Sequence, residues 1–169
     1  RRTLPSLEMP LLARLIEGFE CGDIEQVSYW NDVAHASRET SELLLEEREK
    51  GQALRKLYSA LEIQPELEVA ALGFSGAFAE ICHFWKIPKP LALRGFGWMW
   101  YEMLVTAAIK LVPLGHSDGQ RLLLELHSTL DELVKQALQC ADSDIGASAP
   151  GLAALSSAHE GQTARVFRS

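Results

Sequence analysis

Apolar positions along this chain recur three and four residues apart almost throughout, the period of helices packed on one face. Leu11, Leu12, Leu15 and Ile16 follow Pro10, which suits a first helical turn because its missing N–H has no intrahelical acceptor there. Gly22 closes that helix. Asp23 and Gln26 then form a capping-box pattern for the next, whose Val27, Trp30, Val33 and Ala34 share a face. Ser37 to Leu61 is expected as one long charged helix or a kinked pair, broken by Gln64-Pro65. Glu66 to Trp85 reads as an apolar helix rich in small residues, and Ile87 to Pro90 as a turn. Leu91 to Val112 is the most hydrophobic helix, either central in the core or part of a dimer seam, stopped by Pro113 and Gly115. Ser117 with Gln120 predicts the cap of a helix over Asp118 to Cys140, with the stripe Leu123, Leu126, Leu130, Leu133 and Ala137. A polar loop leads to a short helix around Leu152 to Ala158. No segment alternates with period two for long, so the expected fold is all-α, a single-domain helical bundle of about six to eight helices. Residues 1–158 form the expected helical domain and residues 159–169 a C-terminal recognition tail.

Composition narrows this further. At 47% hydrophobic and 23% charged over 169 residues, the chain is globular and long enough for a real core. A net charge of −7 without a basic cluster argues against nucleic acid or an anionic lipid surface. Arg94, Glu102 and Lys110 interrupt the most apolar stretch, so no membrane span is expected. Cys21, Cys82 and Cys140 are sparse and form no CxxC, as in a reducing, cytoplasmic setting. The chain opens on Arg1-Arg2 without an initiator Met or signal peptide, and is expected to be a piece of something longer.

Chemical signatures are scarce. His35, His83, His116, His127 and His159 show no HxxxH spacing, and Cys82-His83 are neighbours that point about 100° apart on a helix. There is no phosphate-binding GxxxxGK[ST] and no GxSxG elbow. The expectation is a binding protein, not an enzyme, with no cofactor and no resident metal. The alternatives are a helical adaptor for some GTPase and a metal-assisted enzyme with a dispersed site using Cys82, His83 and a distant carboxylate. Three segments stand out instead: Arg38-Glu39-Thr40-Ser41-Glu42-Leu43, Ala108 to Gly115 with the lone cation Lys110, and the ending His159 to Ser169.

Together these segments resemble the urease accessory protein F family, UreF. The first is similar to that family's R-E-T-x-E-L helix start, followed by Glu46-Glu47-Arg48 and Gly51. The second is similar to its A-x-K/R-L-V-P-L-G segment, and the third to its H-E-T-Q-Y-S-R-L-F-R-S ending. The family's N-terminal motif is absent. In the tail Gly161 replaces the usual Thr, and Thr163-Ala164 replace Tyr-Ser. The resemblance implies a helical, homodimeric, non-enzymatic chaperone that joins UreD (UreH) and the GTPase UreG to deliver nickel to apo-urease. It also implies a tail that docks UreD. On that basis the expected partner-binding residues are Lys110, Arg165, Phe167, Arg168, His159, Glu160, Arg38, Glu39 and Glu42. Phe167 would fill a pocket, and Arg165 and Arg168 would pair with carboxylates.

Overall fold

The computed structural model describes residues 3–65, 67, 69–112 and 114–162. Among them are eight α-helices and no strand. A π-helical turn, Leu4–Glu8, runs into α1, Met9–Cys21. Then follow α2 Ile24–Ala36, α3 Ser41–Ala60, α4 Phe74–Phe84, α5 Lys89–Leu111, α6 His116–His127, α7 Leu130–Gln139 and α8 Pro150–Glu160.

The centre of the fold is α1. Met9, Leu11, Leu12, Leu15, Ile16 and Phe19 are all essentially inaccessible, and the helix packs against α2, α4, α5 and α7. It ends where Gly22 takes a left-handed conformation at φ 69°, which a glycine adopts without a Cβ penalty. The Asp23 carboxylate then accepts the Gln26 N–H and opens α2 as its spacing predicts.

The helix expected to be the most hydrophobic, α5, is not the centre, and α4, Phe74–Phe84, is the more apolar of the two. One face of α5 (Ala92, Leu93, Phe96, Tyr101, Val105) is buried, while Leu91, Met103 and Leu104 are exposed. Being apolar all round, it carries no pattern from which its buried face could be read.

Several element boundaries differ from expectation, among them the start of α5 at Lys89, inside the expected Ile87 to Pro90 turn. The segment 37–40 is not helical. Ser37 Oγ bonds back to Val33 O and closes α2, and Thr40, in extended conformation, caps α3 by accepting the Leu43 N–H. The helix expected from Glu66 begins only at Phe74. Its start is set from outside, because Asn31 Oδ1 accepts the Gly73 N–H at 2.9 Å and Glu47 Oε1 accepts the Ser75 N–H at 3.0 Å. The helix expected over Asp118 to Cys140 is two helices. Ser128 and Thr129 turn their hydroxyls onto Glu125 O and Leu126 O and end α6. Nor does Ser117 cap α6, which starts at His116 with Gly115 in the capping position.

Candidate functional site

The conspicuous Arg38-Glu39-Thr40-Ser41-Glu42 segment forms the head of α3 and divides between two tasks. Arg38 turns inward. Its Nη1 donates to Glu8 Oε1 at 2.6 Å, and its Nη2 donates to Glu8 Oε2 and Glu47 Oε2, each at 3.0 Å. Glu8 and Glu47 are both buried. Burial by itself would lower the Arg38 pKa, but the bonds and charges of Glu8 and Glu47 outweigh it and hold the guanidinium charged beyond its ordinary range. The other Glu47 oxygen holds the first turn of α4 through Ser75. One arginine thus joins the entry to α1, the α2–α3 turn, α3 and, through Glu47, α4.

The remaining residues of the segment face α8. Thr40 Oγ1 lies 2.7 Å from Ser156 Oγ. Ser41 Oγ and the Glu42 N–H both donate to Glu160 Oε1, at 2.6 and 3.1 Å. His159 Nδ1 pairs with Glu42 Oε2 at 2.8 Å, and Ser148 Oγ donates to Glu39 Oε1 at 2.5 Å. Glu160 therefore supplies, from the other end of the chain, an acceptor for an N–H that α3 itself leaves unsatisfied.

The seam is polar throughout these contacts, and α8 buries none of its side chains. Leu152 and Leu155 of α8 are 52% and 72% exposed, so its leucines face solvent while its polar side faces the protein. Glu160→Ala is expected to speed Glu42 amide exchange by about fivefold, with global stability changed by less than about 0.5 kcal/mol. Hydrogen-exchange mass spectrometry with a parallel urea melt reads both.

Of the expected partner-binding residues, the structure brings together Glu39, Glu42, His159 and Glu160, while Arg38 turns away from them to Glu8 and Glu47. Lys110 lies elsewhere, exposed in the last turn of α5, where a cation complements the helix dipole. Arg165, Phe167 and Arg168 lie outside the described residues.

Glu8, Asn31, Glu47, Ser148 and Ser156 were not among the expected residues. Glu8 had a signal, since it is the only charge between Leu4 and Ala13 in an otherwise apolar stretch and so calls for a buried cation. Nothing local marks Asn31 or Ser148.

A second polar cluster ties α3 to α4. Tyr58 Oη donates to Glu80 Oε2 at 2.7 Å, and Arg55 Nε approaches the same oxygen at 3.2 Å. Burial raises the pKa of both Glu80 and Tyr58. Cys82 is buried, its thiol pushed up to about 12, and the adjacent His83 stacks on Phe19 with ring centroids 6.2 Å apart. Among the described residues no three His, Cys, Asp or Glu side chains are placed to hold a metal ion. No described helix is long and apolar enough to cross a membrane.

The UreF family model matches residues 1–127. Three relatives named urease accessory protein UreF align along nearly the whole chain. The protein from Alkalilimnicola ehrlichii is 40% identical over 98% of this chain and 74% of its own length. That from Pseudoalteromonas translucida is 41% identical over 98% and 73%. That from Pseudomonas putida is 38% identical over 99% and 76%. With its family pattern matched across most of its length and its all-helical fold in place, the chain belongs to the UreF family of urease accessory proteins.

Proposed function

We propose that this protein is a non-catalytic assembly factor of urease maturation in the cytoplasm. It bridges UreD (UreH) and the GTPase UreG, modulates the GTPase cycle, and works as a homodimer. Nickel is the cargo that the assembly delivers to apo-urease, not a cofactor of this chain.

The observation that carries the reading is the seam between the head of α3 and α8. Its contacts are exchangeable hydrogen bonds and a histidine–carboxylate pair, and no buried side chain anchors α8. Polar groups of a partner can replace such contacts at little net cost, because each bond contributes only about 1 kcal/mol. The segment 161–169 continues directly from that helix and supplies Arg165, Phe167 and Arg168 as anchors for UreD.

The test is to mix the protein with UreD and UreG and weigh the product by light scattering. A stoichiometric complex is expected, lost when residues 161–169 are deleted while the helical circular dichroism stays unchanged. Unchanged assembly after the deletion overturns the docking role. Lys110→Ala is expected to weaken assembly with UreG while stability stays within about 0.5 kcal/mol.

A further inference from the structure

His35 is the one buried imidazole nitrogen among the described residues with nothing to bond. Its Nε2 has no hydrogen-bond partner although the atom is out of contact with solvent. The Glu47 carboxylate lies nearby. A Cβ on Gly73 would stand 2.8 Å from His35 Nε2 and 2.8 Å from Glu47 Oε1, so the two atoms are no more than twice that distance apart across a bare glycine. Glu47 Oε1 is the acceptor of the Ser75 N–H in the first turn of α4, and Oε2 is an acceptor of Arg38.

We propose that His35 is a pH-sensitive element that competes for Glu47 and, when protonated, loosens both the first turn of α4 and the Arg38 clamp. A neutral imidazole leaves Glu47 to Ser75 and Arg38. A protonated one carries N–H on both ring nitrogens, so Nε2 becomes a charged donor near the carboxylate. One proton from solvent adds to the ring as a new N–H bond, no bond between heavy atoms changes, and Glu47 shifts its acceptance from an uncharged amide to a cation.

Four charged groups act electrostatically on the ring: Glu47 and Arg48 from α3, Arg38 from the turn, and Asp32 on its own helix. Burial, then Arg48 and more weakly Arg38, lower the His35 pKa, while Glu47 and Asp32 act the other way and only partly compensate. The folded protein therefore binds fewer protons here than the unfolded chain. The folded state is favoured most above the ordinary value of 6.5, and that stability declines as pH falls from there towards the lowered folded value. The switch works in mild acid and needs no partner.

The experiment is a nuclear magnetic resonance titration of the full chain from about pH 8 to about pH 5, following the His35 ring proton and the Ser75 amide together. The Ser75 amide is expected to shift with the His35 midpoint, below 6.5, and its exchange protection to drop by about fivefold. In His35→Gln the Ser75 shift is expected to be flat. In His159→Gln, which removes the other imidazole close to α3, it is expected to persist unchanged. A Ser75 amide that stays still through the His35 midpoint in the wild-type protein overturns the proposal without need of any variant. So does an unchanged Ser75 titration in His35→Gln.

Discussion

Arg38→Ala is expected to remove about 3–5 kcal/mol of folding stability, a large fraction of the roughly 5–15 kcal/mol that holds a folded domain together. The side chain is 15% exposed, and its two carboxylate partners are 6% and 9% exposed, so none of the three has water to fall back on. Truncating the arginine leaves Glu8 and Glu47 as buried charges without a cation and frees the turn that holds α3 against α1. Urea unfolding followed by circular dichroism reads the loss, and a midpoint displaced by about 2 M is the expected scale. Arg38→Met combined with Glu8→Gln and Glu47→Gln is expected to recover most of it. Uncharged groups of similar volume do not carry the desolvation penalty that the broken triad does. A single-variant loss below about 1 kcal/mol would mean that water reaches the carboxylates, contrary to their burial. At Arg38 the family motif forms buried pairs with Glu8 and Glu47 inside the fold. The face of the segment that meets α8 and the loop before it is carried by Glu39, Thr40, Ser41 and Glu42.

The second large effect is at Gly51, where the sign of the change is the diagnostic quantity. Glycine inside a helix normally costs about 1 kcal/mol relative to alanine, so Gly→Ala ordinarily stabilises. In α3 the added Cβ would stand 2.4 Å from Leu72 O and 2.6 Å from the Gly73 carbonyl carbon. Both are backbone atoms on the segment that leads into α4, and they cannot rotate away. Gly51→Ala is expected to destabilise by about 2–3 kcal/mol net, because the backbone displacement outweighs the gain in helix propensity. Gly95→Ala in α5 is the matched control. Nothing lies within 4 Å of its Cβ position, and a gain of about 0.5–1 kcal/mol is expected. Thermal melts of the two variants side by side decide the matter; equal signs would refute the close approach of α3 to the segment 72–73.

These two positions show where reading the chain succeeded and where it stopped. The stripes of α1, α2 and α7, the Gly22 stop and the Asp23 cap are local: helical period, propensity and capping chemistry act within a few residues. The all-helical class and the family segments were legible for the same reason. The start of α4 was not, because its acceptors come from Asn31 on α2 and Glu47 on α3, far away in sequence. The gathering of Glu39, Glu42, His159 and Glu160 was also out of reach. Two short motifs at opposite ends of the chain carry no mark that they meet, and the hydrogen bonds joining them span separations of 109 to 119 residues.

The amino-acid sequence by itself determined that this protein is built of helices, where most of them lie, and to which family it belongs, since each rests on a pattern complete within a short window. Only the tertiary structure decided that α1 and not the more hydrophobic α5 is the centre, that Arg38 is a buried clamp, and that α8 closes on the head of α3 through polar groups. Burial and pairing are properties of what a side chain meets in space, and a chain with many amphipathic helices admits many ways of meeting until desolvated charges and backbone clearances select one.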